Sequence, residues 1–278
     1  MSDFRSTTWL IRNQIAYQVK VFFRTPVAAF FTLILPLIML ILFNALFGDN
    51  SVDLEDGSYS AQQFYTGGLA AFAAVSATYT NLANTVPILR DEGILKRWRG
   101  TPLNPSVYIA GMIGMAVIVA IVGVVVMVGV GVTLYDVELE AAKLPAAIVT
   151  FVVGVAAFAA LGLACAALVP NARSAPAAAN ATILPLAFVS NVFIALEDPP
   201  RWLEIVGDIF PLKPFVEAFQ DTFIPFVDAP AFSWGRLGYV ALWGVAGAVV
   251  AQRKFTWEPA VGGKSESGRG SRRRGADA

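Results

Sequence analysis

Residues 106–134 read SVYIAGMIGMAVIVAIVGVVVMVGVGVTL and contain no charged side chain. The uncharged stretch continues to Gly100 on one side and to Tyr135 on the other. It is longer than the roughly 20 apolar residues with which a helix crosses a lipid bilayer. The stretch therefore predicts a transmembrane helix, and with it an integral membrane protein.

Four further uncharged windows of spanning length occur in the chain, and together they set the predicted fold. Of the 278 residues, 56% are hydrophobic and only 14% are charged, whereas soluble domains carry about 25% charged residues. A sixth apolar stretch, 237–252, reaches spanning length only if residues 231–235 and a snorkelling Arg236 are included. The sequence predicts an all-α integral membrane protein with six transmembrane helices at about 26–48, 64–89, 106–134, 144–169, 175–196 and 232–252.

The positions of Lys and Arg predict the orientation of these spans, because basic residues are retained on the cytoplasmic side. Sixteen of the 20 basic residues lie in the N-terminal arm, in the second and fourth connections and after Gln252. Both termini are therefore predicted to be cytoplasmic, which requires an even number of spans. We expect a multi-pass membrane protein.

Both ends of the chain carry recognisable patterns. Before the first span, apolar residues recur on one helical face: Phe4, Ile11, Ile15, Val19 and Phe22. This stripe predicts an amphipathic helix in the inner membrane interface, with a basic leader that merely sets orientation as the alternative. The six-span domain covers residues 1–255, and the Gly-, Ser- and Arg-rich segment 256–278 predicts a disordered basic cytoplasmic tail.

The second connection reads ILRDEGILKRWRGTPLNP at residues 88–105. Asp91 and Glu92 precede Lys96, Arg97 and Arg99, the order that complements a helix dipole, and Gly100 begins the terminating segment. Ile94, Leu95 and Trp98 give the predicted short helix an apolar face. Such a face between two spans suits the docking of a partner protein, and a charged loop folded back on the membrane is the alternative.

The stretch before the last span is too apolar for a simple external loop. Its segment FPLKPFVEAFQDTF, residues 210–223, has phenylalanines at spacing four and predicts a short external amphipathic helix. We expect this segment to lie in the outer interface, or to re-enter the bilayer under cover of protein, and to form an external lid. The candidate gate residues are Pro211, Phe215, Glu217 and Phe219.

Polar residues concentrate in the second and fifth predicted spans. Because unpaired polar groups are costly in hydrocarbon, these spans should face protein or a solvated path. Hydrogen bonding between helices without transport is the alternative for each residue. The candidates for a translocation path are Tyr79, Asn81, Asn84, Asn180 and Asn191.

Residues for several kinds of chemistry are missing from the sequence. It has no histidine, its one cysteine is Cys165 inside an apolar run, and the first five predicted spans contain no charge. Buried catalysis, a metal site and a proton relay are therefore disfavoured, and we expect no cofactor on this chain. Nothing in the sequence indicates a nucleic-acid partner.

Residues 91–103, DEGILKRWRGTPL, resemble a motif of the permease subunits of bacterial type-two ABC exporters, which include drug-resistance and antibiotic-export permeases. The family's pattern is an acidic residue, any residue, Gly, any residue and Leu, followed after five further residues by Thr-Pro-Leu. Here Glu92 directly precedes Gly93, where family members often have one residue between. Residues 210–218 are similar to the family's proline-led segment before the last span, and the resemblance covers residues 4–255.

The resemblance implies a permease that pairs with a second permease, identical or related. It also implies separate ATP-binding-cassette ATPase subunits, which carry the ATP and Mg, so this chain is not itself an enzyme. The second and fifth spans of the two permeases then line the path. The ATPase-coupling residues implied by the motif are Asp91, Glu92, Gly93, Leu95, Arg97, Trp98, Thr101 and Pro102.

The function expected from this resemblance is ATP-driven export of a hydrophobic or amphipathic small molecule, such as a drug, an antibiotic or a lipid. The resemblance also implies that the protein lies in a bacterial cell (cytoplasmic) membrane. Two other readings stay open, the permease of a polysaccharide or glycolipid exporter and a membrane assembly protein that does not transport. A carrier driven by an ion gradient is disfavoured by the absence of charges within the spans.

Overall fold

The fold is almost entirely helical. The structure, a computed structural model, describes residues 7–54, 57–99, 105–195 and 199–258. Phe4, Thr101, Pro102 and most of the predicted tail lie outside these ranges. The helices are α1 (Thr7–Phe23), α2 (Pro26–Ala29), α3 (Leu35–Phe47), α4 (Ala61–Val75), α5 (Asn81–Asp91), α6 (Ile94–Arg99), α7 (Pro105–Leu134), α8 (Leu144–Leu168), α9 (Ala175–Val189), α10 (Arg201–Ile209), α11 (Leu212–Gln220) and α12 (Trp234–Lys254).

Two π-helical turns join neighbouring helices without a break. Phe30–Ile34 connects α2 to α3, and Ser76–Thr80 connects α4 to α5. The first junction yields the continuous apolar helix Pro26–Phe47, and the second yields a continuous helix over residues 61–91. A π turn adds a residue to the helical repeat and is frequent at functional sites.

Four helices in the described part of the chain are long and apolar enough to cross a membrane: Pro26–Phe47, Ser106–Leu134, Ala141–Leu168 and Trp234–Lys254. The prediction of an all-α membrane protein is therefore confirmed. The count of six spans also needs the helix 61–91 and α9, which are not among these four, and it stays a prediction. α9 has 15 residues and extends only about 22 Å at the helical rise.

The fifth predicted span, 175–196, is helical over only part of its length. The helix ends at Val189, and Asn191 then adopts a left-handed backbone with φ 54°. Asparagine tolerates this conformation better than most residues, and it commonly follows a helix end. The apolar run continues to Leu196 in the sequence, so hydropathy alone places the end of the helix too late.

The helix 61–91 lies at the centre of the fold. α3, α7, α8 and α11 pack against its α4 half, and α8 and α9 pack against α5. Every residue from 63 to 79 is buried. Gly68 permits part of this packing, because a Cβ there would lie 2.8 Å from Nε2 of Gln220. The prediction that this polar span faces protein agrees with its burial.

The last apolar helix, α12, is held along α8 by small residues. A Cβ on Gly244 would lie 2.8 Å from Cα of Ala157, and one on Gly247 would lie 3.0 Å from the backbone nitrogen of Leu161. Glycine therefore sets how closely the two helix backbones approach, as in many membrane helix pairs.

α1 lies against the first half of α7. Its inward face carries the buried Gln14, Gln18 and Phe22, and a Cβ on Gly111 of α7 would collide with Gln14. Of the predicted apolar stripe, Phe22 belongs to this inward face, and the half-buried Ile11, Ile15 and Val19 lie beside it. The stripe therefore contacts protein rather than acyl chains.

A short β-hairpin follows the first apolar helix and was not anticipated from the sequence. Its strands, β1 (Ser51–Leu54) and β2 (Gly57–Ser60), are antiparallel, with Val52 opposite Tyr59. Both of these side chains are buried, and the ring centroid of Tyr59 lies 6.1 Å from that of Phe226. The hairpin thus packs against the segment that precedes α12.

Candidate functional site

The predicted docking helix exists as α6, and a glycine separates it from α5. Gly93 has φ 73°, a left-handed conformation that costs other residues about 1 kcal/mol or more. Glu92 and Gly93 donate backbone hydrogen bonds to Ile88 and Arg90, which close the end of α5. The chain can therefore turn sharply at Gly93 and begin a new helix one residue later.

The α5 end is fastened to the turn between α8 and α9. The backbone N–H of Ala172 donates to Oδ2 of Asp91 at 2.6 Å, and Nη2 of Arg90 donates to the carbonyl of Val169 at 3.0 Å. Arg90 is buried and also pairs with Asp91 at 3.3 Å. Two charged side chains thus hold two connections together, through charge-assisted hydrogen bonds of the stronger kind.

α6 does not present the exposed apolar face predicted for it. Leu95 is fully buried in a cluster with Leu82 and Met112, and the ring centroid of Trp98 lies 5.0 Å from that of Tyr108. The apolar face therefore packs on the chain's own helices. The exposed charged side chains are Lys96 and Arg97 on α6 and Glu92 at the end of α5, just before it.

The predicted path residues occupy different surroundings. The hydroxyl of Tyr79 lies 2.5 Å from Oγ1 of Thr182, which joins the π turn to α9. Asn81 is buried, and its Oδ1 accepts from Oγ1 of Thr85. Asn180 is exposed on α9. Tyr79 and Asn81 thus have the hydrogen bonds between and within helices that the non-transport alternative expects.

Two polar side chains, one on α5 and one on the preceding π turn, form a polar stripe without hydrogen-bond partners among the described residues. Oγ1 of Thr80 and Oδ1 of Asn84 are buried, and neither has a hydrogen-bond partner among the described residues. They are four residues apart and share a helix face with Ile88, which is 39% exposed. Buried polar atoms without partners are costly, so this face is suited to contact a ligand, a water molecule or another chain.

The predicted lid segment is inserted among the spans. Phe215 is fully buried on α11 and seats on Gly154 of α8, and its ring centroid lies 5.5 Å from that of Phe158. Gly154 follows Leu144 by ten residues, which is about 15 Å along the helix. α11 therefore contacts α8 well inside that long apolar helix, in the protein-covered setting that a re-entrant segment would need.

Glu217 joins α11 to the start of α12. Its Oε2 lies 3.3 Å from Nη2 of Arg236, and its Oε1 lies 3.9 Å from Nζ of Lys213 and accepts from Asn191. Arg236 also pairs with Asp221 at 2.6 Å. Burial raises the pKa of Glu217, and the two cations offset only part of this effect. Asn191 thus belongs with the lid segment and not with Tyr79.

Gln220 and Lys143 are further positioning residues that the sequence did not reveal. Nε2 of Gln220 donates to the carbonyls of Phe64 and Asn191, which ties α11 to α4 and to the chain after α9. Lys143, only 2% exposed, donates to the carbonyl of Ile224 at 2.8 Å and pairs with Glu140. Only general polarity marks these two residues in the sequence.

The model of one protein family, described as ABC-2 type transporter, matches residues 11–224, well over half of the chain. The chain belongs to the ABC-2 type transporter family. It is thus the membrane permease of an ABC transporter rather than the ATPase subunit. No curated protein sequence matches the chain significantly.

In this ABC-2 permease the helix 61–91 connects the three predicted groups of residues, namely the lid segment, the translocation path and the ATPase-coupling residues. Phe64 near one end contacts Gln220 of the lid segment, Tyr79 contacts α9, and Asp91 at the other end contacts the α8–α9 turn. Phe64 and Asp91 are about 40 Å apart along a continuous helix. The lid, path and coupling residues therefore do not form one cluster. They lie at three separate positions along the helix 61–91.

Proposed function

We propose that this permease forms the translocation path of an exporter that moves a hydrophobic or amphipathic small molecule, such as a drug, an antibiotic or a lipid, out of a bacterial cell. A separate ATPase subunit binds ATP and Mg and supplies the energy. Both termini lie in the cytoplasm, and a second permease, identical or related, completes the path.

The observation that carries this proposal is the fastening of α5 to the α8–α9 turn. The ATPase docks on a charged surface that Arg97 of α6 and Glu92, just before that helix, help to form. Because Arg90 and Asp91 tie this region to residues 169–172, a displacement of α6 is passed to the second span and to the α8–α9 turn together. Gly93, Leu95 and Trp98 fix the position of α6 and need not touch the ATPase.

The path runs along the polar stripe of the second span and the exposed side of α9. Oγ1 of Thr80 and Oδ1 of Asn84 are buried and lack partners among the described residues, so a separation of the surrounding helices would offer two hydrogen-bonding atoms to an amphipathic substrate. Asn180 lies on the exposed side of α9. The insertion of Phe215 among the spans supports a role for α11 in closing the external end.

Copurification with an ATPase tests the proposal. The tagged permease is purified gently from its native membrane, beside Glu92→Lys and a matched control, Glu138→Lys. Both residues are exposed, and Glu138 lies in the predicted external connection between α7 and α8. We expect a stoichiometric ATPase with wild type and the control and its loss with Glu92→Lys, because the substitution reverses a charge on the docking face.

Two results would contradict the proposal. An oligomer without any ATPase would favour a membrane assembly protein or an ion-driven carrier. Retention of the ATPase by Glu92→Lys would place the docking surface elsewhere. If the ATPase is retained, transport assays with lipid-linked glycans and with small amphipathic compounds separate the polysaccharide or glycolipid exporter from the small-molecule exporter.

A further inference from the structure

α1 has an outer face whose composition differs from that of its inner face. The inner face contacts α7 through Gln14 and Gln18. The outer face carries Tyr17 and Phe23, which are 59% and 49% exposed. The other large outward side chains are Trp9, Arg12, Lys20 and Arg24.

The charge on this outer face has a single sign. α1 contains no Asp or Glu between Thr7 and Phe23. Within the described residues, no ion pair involves Arg12, Lys20 or Arg24, although six ion pairs form elsewhere. Around the helix Arg12 and Lys20 lie about 80° apart, on the side that also carries the exposed aromatic rings, and Arg24 directly follows the last helical residue. The face therefore offers positive charge that no described residue of the chain neutralises by an ion pair.

The position of α1 places this face at the edge of a membrane. α1 ends at Phe23, and the apolar helix Pro26–Phe47 begins after only two residues. Basic residues mixed with Trp, Tyr and Phe are typical of helix faces at the level of lipid headgroups. Docking to a soluble partner would not explain why exposed aromatic rings lie directly beside a membrane span.

We propose that the outer face of α1 is a binding site for anionic phospholipid headgroups. Arg12, Lys20 and Arg24 pair with the phosphates, and the rings of Tyr17 and Phe23 pack among the upper acyl chains. Phosphatidylglycerol has the required chemistry, because it carries a net negative charge, whereas phosphatidylcholine carries none.

A bound lipid at this face is connected to α6 by a short chain of contacts. Gln18 of α1 is hydrogen-bonded to the side chain of Tyr108, whose ring packs on Trp98 of α6. The lipid site therefore lies one helix away from the charged face proposed for docking. Lipid binding itself does not depend on that docking proposal.

The test uses the full chain in detergent, titrated with phosphatidylglycerol or phosphatidylcholine and followed by native mass spectrometry. The test variant is Arg12→Gln/Lys20→Gln/Arg24→Gln. The control, Arg173→Gln/Arg253→Gln/Lys254→Gln, removes the same charge from other exposed positions. Each base near an anionic surface contributes about fivefold, so we expect about a hundredfold loss of phosphatidylglycerol affinity in the test variant.

The expected pattern also includes unchanged phosphatidylcholine binding and a preference for phosphatidylglycerol that high salt weakens in wild type. If the triple variant does not fold, Arg12→Gln and Lys20→Gln singly should each lose about fivefold. Equal loss in the control, or no preference in wild type, would overturn the proposal. So would unchanged lipid affinity with a lost ATPase, which would assign the face to a protein partner.

Discussion

The ring of Phe215 rests on the backbone of Gly154, with no room between them for a methyl group. Phe215 is fully buried, and it brings α11 into contact with the middle of α8. The lid segment is thus fixed by a glycine on another helix. Its motion requires either that this contact opens or that α8 moves with it.

Replacing Gly154 by alanine should destabilise the permease. The added Cβ collides with the ring of Phe215, and overpacking of this kind costs about 1–3 kcal/mol. The measurement is thermal unfolding in detergent. Gly129→Ala in α7 is the matched control, because a Cβ there meets nothing within 4 Å, and it should be neutral or slightly stabilising. Equal effects of the two substitutions would show that Phe215 yields easily.

Tyr79 and Thr182 should be energetically coupled. Tyr79→Phe leaves Thr182 its bonds to the carbonyls of Ala178 and Ala179, so the loss should be about 1 kcal/mol. Thr182→Val leaves the buried Tyr79 hydroxyl without this partner and should cost more. A double-mutant cycle on the free energy of unfolding should give a coupling of about 0.5–1 kcal/mol, and additive losses would mean that the bond contributes nothing.

Gly93 should tolerate asparagine better than alanine. Its φ of 73° suits glycine, and asparagine enters this region more readily than alanine. Nothing lies within 4 Å of an added Cβ, so backbone strain alone separates the two variants. We expect the amount of copurified ATPase to be highest with wild type, lower with Gly93→Asn and lowest with Gly93→Ala. Identical retention in all three would show that the sharp turn before α6 is dispensable.

Glu217 should make stability depend on pH in the direction opposite to that of an ordinary ion-paired carboxylate. Because burial raises its pKa above the ordinary 4.5, the folded state holds the proton more tightly than the unfolded state. The free energy of unfolding should therefore fall as pH rises from about 4.5 through the raised pKa. Glu217→Gln should remove this slope.

The control for the pH dependence is Glu204→Gln on α10, where the carboxylate is exposed. Denaturant unfolding is measured for wild type and both variants at several pH values above 4.5. The slope should persist in the Glu204 variant. A slope of the opposite sign in wild type would mean that Arg236 and Lys213 outweigh the burial of Glu217.

Apolar runs predict the long helices well, because a bilayer demands length and low polarity from each span. Residues 106–134 and 144–169 match helices in the structure almost to the residue. The end of α9 at Val189 could not be seen in this way. It depends on the backbone at Asn191, after which the sequence stays apolar.

The apolar face of α6 shows a different limit of prediction from sequence. The spacing of Ile94, Leu95 and Trp98 identifies an apolar face, but not whether that face contacts the same chain or a partner. The cluster around Met112 decides this, and it is formed by residues distant in sequence. The bonds from Asp91 to Ala172 and from Gln220 to Phe64 are likewise long-range, and no local pattern encodes them.

The burial of the helix 61–91 has a consequence for biogenesis. A segment with polar residues from Ser76 to Thr85 gains little from entering lipid alone, since its partners are other helices of the chain. α7 and α8, which cover it, are synthesised later. We therefore expect the helix 61–91 to be held stably in the membrane only after α8 has been synthesised, and a chain truncated before α8 to be degraded.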